Sequence, residues 1–263
     1  MGMLVQDGLL GASEENGVTH LYYVAEAWNA RALEKLKAVL AALGLVVETA
    51  GISPHTLEDQ DWNVRWAQSV QPIFIGKRIL IRQSWNPAKV PAGGIELIID
   101  PKRAFGTGYH ATTQLLAEWL EDAIRAGDCV LDVGTGSGIL AMIALRLGAG
   151  RALGIDNDPV AIECARENAA LNCFGPELRL LTGSIEDVGA ETFDVILANL
   201  DRNTLLRHAT ALAKYLRPGG RLLVSGLQHA DREDIISNLA SEAGVLRDQR
   251  SREEWIALEV TFT

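Results

Sequence analysis

From Gly127 onward, the sequence alternates between short, almost continuous apolar runs and longer segments with helical periodicity. The runs include CVLDVG, RALGIDN, FDVILANL and GRLLVSGL. Strands that are apolar at nearly every position are buried on both faces, as in a parallel sheet covered by helices on each side. The last two strand-like runs, VLRDQRS and EEWIALEVTF, have no helix between them, which indicates an antiparallel hairpin. The pattern predicts an α/β fold whose ligands bind beyond the carboxyl ends of the strands.

The first part of the chain predicts a smaller α+β domain. Residues 20–28 resemble a strand, a helix follows with Asn29 as its N-cap, and residues 46–53 resemble a second strand. Residues 1–17 contain glycines and acidic side chains and predict a frayed tail. We therefore divide the chain into a small domain at 1–54, a linker helix at 55–71 and a large domain at 72–263. The large domain begins with a hairpin or a bent strand at 72–85.

The composition limits the class of partner. The chain has 263 residues and a formal net charge of −10, whereas proteins that bind nucleic acid usually carry a basic surface. Its three cysteines are an odd number without the spacing of a metal site, which is typical of a reduced, cytoplasmic protein. No apolar run reaches the roughly 18 residues of a membrane span. We expect no nucleic acid partner, no metal and no membrane association.

A glycine-rich loop, LDVGTGSG, follows the first apolar run of the large domain. Asp132 precedes Gly134, Gly136 and Gly138, and the third glycine stands one residue earlier than in the dinucleotide fingerprint. A carboxylate at this point would repel a diphosphate but suits a cofactor with an amino group and a sulfonium. The loop therefore indicates S-adenosylmethionine, with the glycines allowing close approach of the backbone.

Polar residues also end the next three apolar runs. Asp156 can accept hydrogen bonds from both hydroxyls of a ribose. Glu186, in the segment after the third run, is a candidate contact for the edge of an adenine. Asn199 ends the most apolar run, at the edge of the sheet where the reacting atoms should lie.

A second glycine-rich segment, AFGTGYHATT at 104–113, precedes this loop. Together with LDVGTGSGILA, GIDNDPVAI and ILANL, it resembles the family of methyltransferases that modify ribosomal protein L11, from about residue 55 to the end. The resemblance implies a seven-stranded, Rossmann-like class I methyltransferase domain and a small, ferredoxin-like N-terminal domain that recognises the ribosomal protein. It also implies transfer of methyl groups from S-adenosylmethionine to a lysine side chain or the N-terminal α-amine of that protein.

The resemblance assigns cofactor contacts to Thr113, Gly134, Asp156 and Asn199, and it places Phe105 and Thr107 in a loop that covers the cofactor. The sequence departs from the family at Ala111, where proline is usual, and at Asp201–Arg202, where small apolar residues are usual. All candidate cofactor-binding residues are Phe105, Thr107, Thr113, Asp132, Gly134, Gly136, Gly138, Asp156, Glu186 and Asn199.

The methyl acceptor must be an uncharged amine, and only about one lysine in a few thousand is neutral at pH 7. The side-chain oxygen of Asn199 and the carbonyl of Leu200 are candidates to orient the lone pair of the nitrogen. Asp201 is a candidate to collect the proton or hold the ammonium group, and His110 is a second candidate base. The predicted catalytic residues are Asn199, Leu200 and Asp201.

Two other functions remain open. The chain could methylate another protein lysine or a small molecule, because two charged residues, Asp201 and Arg202, border the expected acceptor site. It could also be a non-catalytic module that uses this fold only to bind a cofactor. Methylation of RNA or DNA fits less well, because NLDR lacks the aromatic residue that would stack on a flipped base.

Overall fold

A computed structural model describes residues 9–15, 18–42, 52–55, 71–100 and 104–262. The chain divides into two compact units, Met1–Trp62 and Asn63–Thr263. The division falls inside the predicted linker. Residues 56–70 of the predicted helix and most of the strand predicted at 46–53 lie outside the described residues.

The first unit begins with an antiparallel hairpin of β1 (Leu9–Glu15) and β2 (Val18–Tyr23), followed by helix α1 (Ala30–Ala42). The prediction of a frayed tail is wrong at 9–15, because this segment pairs along its length with β2. The predicted N-cap is confirmed, since Asn29 Oδ1 accepts hydrogen bonds from the backbone of Arg31 (3.0 Å) and Ala32 (3.1 Å).

The second unit begins with a three-stranded sheet of β3 (Ile73–Ile75), β4 (Ile79–Arg82) and β5 (Ile95–Ile98). β3 and β4 form the predicted hairpin, and β5 lies parallel to β4. Asn172 attaches this sheet to the rest of the unit, because its side chain exchanges two hydrogen bonds of 2.7 Å with the backbone of Ile98.

A seven-stranded sheet forms the centre of the second unit, with strand order β11-β12-β10-β9-β6-β7-β8. Its strands are β6 (Cys129–Val133), β7 (Arg151–Asp156), β8 (Leu178–Thr182), β9 (Phe193–Asn199), β10 (Leu216–Gln228), β11 (Gly244–Arg252) and β12 (Trp255–Phe262). Its helices are α2 (Ala111–Ala123), α3 (Ile139–Arg146), α4 (Pro159–Leu171), α5 (Arg202–Tyr215) and α6 (Arg232–Ser241). The predicted sheet is confirmed, with β6 to β10 parallel and β11–β12 an antiparallel hairpin.

The apolar runs are continuous because each central strand packs against helices on both faces. On β6, Val130 joins a buried cluster with Leu116 of α2, whereas Leu131 joins a second cluster with Leu205 of α5. Each fully buried leucine of this kind contributes about 1.5–3 kcal/mol to folding. These two layers hold the strand ends in fixed positions. Within the described residues, no helix is both long and apolar enough to cross a bilayer.

The order of the strands reverses between β6 and β9. From this pair the chain runs outward through β7 and β8 on one side and through β10 on the other. The connections that follow β6 and β9 therefore leave in opposite directions and open a crevice at the carboxyl edge of the sheet. Both polar motifs singled out in the sequence, Asp132–Gly138 and Asn199–Asp201, lie at this crevice.

Candidate active site

The loop after β6 depends on its three glycines, all of which have positive φ. The values are 70° at Gly134, 54° at Gly136 and 81° at Gly138, the N-cap of α3. Residues with a Cβ rarely adopt this conformation. The turn therefore places bare backbone at the end of the strand, where a ligand can approach it closely.

Asp132 lies beneath this loop and is 1% exposed. Its Oδ2 accepts hydrogen bonds from the Thr135 hydroxyl (2.7 Å) and the Ala141 backbone N–H (3.2 Å). Burial raises the pKa of this carboxyl to about 6, although both hydrogen bonds act in the opposite direction. A buried carboxylate that ionises near neutral pH is a site that a bound cation would stabilise.

Asp156, at the end of β7, supports the same loop from the next strand. Its Oδ2 accepts a hydrogen bond from Gly136 N (2.9 Å), and its Oδ1 accepts one from Asp158 N (3.0 Å). Asp158 is the N-cap of α4 and accepts a hydrogen bond from Val160 N at 2.8 Å. A carboxylate has about four acceptor positions, so Asp156 keeps capacity for the hydroxyls of a ribose.

The two glycine-rich loops are joined directly to each other. The backbone N–H of Ser137 donates to Phe105 O (2.9 Å), and its hydroxyl donates to Gly106 O (2.6 Å). A Cβ at position 136 would lie 2.6 Å from Phe105 O, so only glycine allows this contact. Sequence reasoning missed Ser137, because its partners lie about thirty residues earlier in the chain. Thr107 is half-buried between Gly106 and Gly108 in this loop.

Asn199 and Thr113, both predicted to contact the cofactor, lie next to each other. Asn199 Nδ2 donates to Thr113 Oγ1 at 3.4 Å, and Thr113 is 1% exposed in the first turn of α2. With its amide nitrogen directed to Thr113, Asn199 has its side-chain oxygen available as an acceptor.

Leu200 is held by two residues that sequence reasoning did not select, Ser225 and Gly226. The backbone N–H of Leu200 donates to Ser225 O (3.0 Å), and the Ser225 hydroxyl donates to Ile256 O (2.9 Å). Gly226 has φ of 86°, and a Cβ there would lie 2.8 Å from the carbonyl carbon of Leu200. The sequence signal was a polar residue and a glycine ending the apolar run LLVSGL, as Asn199 ends the run before it.

Asp201 is the N-cap of α5. Its Oδ1 accepts from the backbone of Asn203 (3.0 Å) and Thr204 (3.1 Å), and its Oδ2 accepts from the Thr204 hydroxyl (2.6 Å). The hydroxyl of Thr204 and these backbone groups hold the pKa of Asp201 below its usual value. Arg202 donates from Nε to Asp234 on α6 at 3.1 Å. Asp201 and Arg202, the two charged residues that depart from the family pattern, therefore bind groups on helices α5 and α6.

His110, the second candidate base, is the N-cap of α2. Its Nδ1 lies 2.8 Å from the Thr112 hydroxyl and accepts from Thr112 N at 3.4 Å. The ring makes edge contacts with Phe105 and Trp255, with centroids 5.4 Å and 4.9 Å apart. The helix begins at Ala111, the position where the resemblance predicts proline. The structure thus gives His110 a structural role that the sequence did not suggest.

Glu186 lies in a 3₁₀ turn, Ile185–Val188, that follows β8. Its Oε1 is 3.5 Å from His208 Nδ1, and a hydrogen bond from Ser184 holds its pKa below the usual value. Asp187 fixes the turn by accepting from Ser184 N at 2.8 Å. The Glu186 side chain is 64% exposed. Among the described residues, no group of three or more His, Cys, Asp or Glu side chains could hold a metal ion.

Known proteins resemble the chain over nearly its whole length. The profile of the family described as "Ribosomal protein L11 methyltransferase" matches residues 11–263. A ribosomal protein L11 methyltransferase of Cupriavidus pinatubonensis is 44% identical, and the match covers 84% of this chain and 74% of that protein. A ribosomal protein L11 methyltransferase of Geobacter metallireducens is 41% identical, and the match covers 77% of this chain and 67% of that protein.

Solved structures agree with this result. The crystal structure of a ribosomal protein L11 methylase from Lactobacillus delbrueckii has a TM-score of 0.67 and 30% identity, and the match covers 73% of this chain and 99% of that one. A methyltransferase from Pyrococcus furiosus, with a TM-score of 0.53 and 19% identity over 62% of this chain and 87% of its own, shares the fold. The chain belongs to the ribosomal protein L11 methyltransferase family, as its motifs predict.

Proposed function

We propose that this protein transfers methyl groups from S-adenosylmethionine to amines of ribosomal protein L11, at a lysine side chain, the N-terminal α-amine or both. The observation that carries the proposal is the juxtaposition at the β6–β9 switch point. There the buried carboxylate of Asp132 lies on β6, and the glycine loop with positive φ follows this strand. The amide of Asn199 lies at the end of the neighbouring strand, β9. When bound, the cofactor supplies an electrophilic methyl group attached to a sulfonium.

The residues present fit a cationic cofactor better than a dinucleotide. Asp132 and Asp156 place two carboxylates at the loop, which would repel a pyrophosphate and attract an ammonium or sulfonium group. Burial raises the pKa of Asp132, so its ionised form is costly without a nearby cation. The bare backbone at Gly134, Gly136 and Gly138 leaves room that side chains would fill.

We assign the remaining candidates by their position around this cradle. Asp156 would bind the ribose hydroxyls, and Glu186 would face the adenine from the 3₁₀ turn that follows β8. Phe105 and Thr107 would cover the cofactor from the first glycine loop, which hydrogen bonds already connect to the second through Ser137. Thr113 would contact the cofactor from the first turn of α2.

The catalytic contribution of the chain is positioning of the amine, because direct methyl transfer needs no covalent enzyme intermediate. We assign this task to two acceptors, the Asn199 side-chain oxygen and the Leu200 carbonyl. They would hold the amine by its N–H groups and direct its lone pair toward the methyl carbon. Thr113 supports this role by occupying the amide nitrogen of Asn199.

We assign Asp201 to holding the turn that carries Asn199 and Leu200, in place of the proton-collecting role expected from the sequence. Its oxygens accept three hydrogen bonds from the first turn of α5. A carboxyl whose pKa is lowered binds a proton less readily than a free one. The proton of the amine is then lost to water before the amine reaches the acceptors.

Transfer of labelled methyl groups tests this function. The full-length protein is incubated with methyl-labelled S-adenosylmethionine and either purified ribosomal protein L11 or fractionated cell extract. We expect label in L11, at amine nitrogens that peptide mass spectrometry identifies. Label confined to another protein or to a small molecule would support the alternative methyl acceptors and contradict the proposed one.

A further inference from the structure

Gln114, in the first turn of α2, connects the first glycine loop to the C-terminal hairpin. Its Nε2 donates to two consecutive carbonyls of the loop, Gly108 O (3.2 Å) and Tyr109 O (3.1 Å). Its Oε1 accepts a hydrogen bond from Arg252 Nη1. One half-buried amide thus uses both donors and its acceptor at the same time.

Arg252 is itself fixed in place. It ends β11, where a two-residue turn leads into β12, and its Nη2 pairs with Glu118 Oε1 at 2.6 Å. Glu118 lies one helical turn beyond Gln114 on α2, so both side chains face the same strand. The guanidinium therefore orients the Gln114 amide with its nitrogen toward the loop.

The loop needs such contacts because glycine gives it unusual freedom. Gly106 has φ of 100° and Gly108 has φ of 89°, and glycine loses more conformational entropy on ordering than any other residue. Ser137 fixes the start of the loop through Phe105 and Gly106. Gln114 is the corresponding contact at the end of the loop.

We propose that Gln114 is a positioning residue for the cofactor, which holds the Phe105–Tyr109 loop in the shape that covers it, and that Arg252 orients the Gln114 amide for this task. The inference rests on the proposed function for the identity of the cofactor. A loop ordered in advance would lower the entropic cost of binding. Loss of the contact should therefore weaken cofactor binding more than it slows methyl transfer.

The variant that tests this is Gln114→Glu. A carboxylate keeps the size of the side chain and the partner for Arg252, but it cannot donate to Gly108 O or Tyr109 O. The matched control is Asp122→Asn, which weakens the neighbouring pair between α2 and β11, Asp122 with Arg250 at 2.9 Å, without touching the loop.

We expect Gln114→Glu to raise the KM and the Kd for S-adenosylmethionine about tenfold, with kcat within about threefold and an unchanged melting temperature. The control should stay within about twofold in every quantity. A Gln114→Glu protein whose Kd stays within twofold of the wild type would overturn the positioning role.

Hydrogen exchange of the peptide that spans 104–110, measured without cofactor, separates the contact from the function. Exchange in Gln114→Glu should be about tenfold faster than in the wild type or the control. Unchanged exchange would show that Gln114 does not order the loop and would overturn the inference. If the wild-type protein bound no S-adenosylmethionine, the proposed function would fail, and the exchange result alone would decide whether Gln114 orders the loop.

Discussion

Single residues at the carboxyl edge of the sheet divide into those that hold loops and those with groups available to a ligand. Asp201, Ser137 and Ser225 direct their polar groups to backbone or helix partners. Asn199 has an available oxygen, and Asp132 carries a buried carboxyl with a raised pKa. Substitution of the second kind of residue should alter chemistry with little loss of fold.

Replacing Asn199 with alanine should lower kcat about 10²–10³-fold, because the amine loses an acceptor aligned with the methyl group. The Kd for S-adenosylmethionine should change by less than about tenfold. Steady-state kinetics and calorimetry measure the two effects separately. Asn203→Ala, at an exposed position four residues further along, is the control and should behave like the wild type. Full activity of Asn199→Ala would remove this residue from the mechanism.

The raised pKa of Asp132 predicts a pH dependence of stability with a definite sign. The folded protein, with a pKa of about 6, binds this proton more tightly than the unfolded chain, with a value near 3.8. The contribution of the group to stability is therefore fully present below about pH 4 and is lost as pH rises through about 6. The difference between these two pKa values corresponds to a contribution of about 3 kcal/mol to the free energy of unfolding.

Asp132→Asn should remove this loss and stabilise the protein without cofactor by about 1–3 kcal/mol at pH 7. The wild type should bind S-adenosylmethionine more tightly as pH rises from 5 to 7, because the carboxylate ionises, and the variant should bind weakly at every pH. Thermal unfolding and calorimetry over this range measure both. Equal affinity of the two proteins at pH 7 would show that Asp132 does not attract the cofactor.

At the scale of elements, the site lies where the carboxyl ends of the strands lead into the first turns of the helices. The N-caps are His110 for α2, Gly138 for α3 and Asp201 for α5. The first backbone N–H groups of a helix need hydrogen-bond partners outside the helix. The side chains of His110 and Asp201 provide such partners for α2 and α5. Changes to a cap therefore act on the site through the position of its loop.

Asp201→Ser distinguishes a capping role from a proton-transfer role. Serine caps a helix about as well as aspartate but cannot accept a proton from an amine near neutral pH. We expect kcat within about threefold of the wild type and a stability within about 1 kcal/mol. A fall in kcat of a hundredfold or more, with a normal melting temperature, would return Asp201 to the catalytic residues.

Gly136→Ala tests the contact between the two glycine-rich loops. Gly136 and Gly189 both have positive φ, but a Cβ at 136 would meet Phe105 O at 2.6 Å, whereas nothing lies within 4 Å of a Cβ at 189. Gly189→Ala should cost about 1–3 kcal/mol from the backbone alone, because residues with a Cβ rarely adopt its φ of 83° and ψ of −139°. Gly136→Ala should cost more and should also abolish binding of S-adenosylmethionine. Equal effects of the two variants on stability and binding would show that the loops need not touch.

At the scale of the whole molecule, the centre of the second unit is a seven-stranded sheet buried between two helical layers, with its polar motifs at one edge. The continuous apolar runs predicted this sheet, because burial on both faces leaves no polar alternation. They did not predict that β12 lies between β10 and β11, since the order of strands depends on contacts between distant segments. Residues 9–15 were missed as a strand because their glycine and acidic side chains are unusual in strands.

For the site too, the sequence predicted what depends on local motifs and missed what depends on distant contacts. Local motifs identified the glycine turn, Asp132, Asp156 and Asn199, because each follows a strand directly. Residues that act through remote partners carried weak local signals, so the sequence did not select Ser137 or Gln114. The division into domains at 1–54, 55–71 and 72–263 stays a prediction.

The most direct test of the central claim is calorimetric titration of the full-length protein at pH 7 with S-adenosylmethionine and, in parallel, with NAD⁺. We predict that S-adenosylmethionine binds with a Kd between about 1 and 100 µM, that Asp156→Ala weakens it at least tenfold, and that NAD⁺ gives no binding heat. Saturable binding of NAD⁺, or no binding of S-adenosylmethionine at millimolar concentration, would contradict the claim that this crevice holds a cationic cofactor.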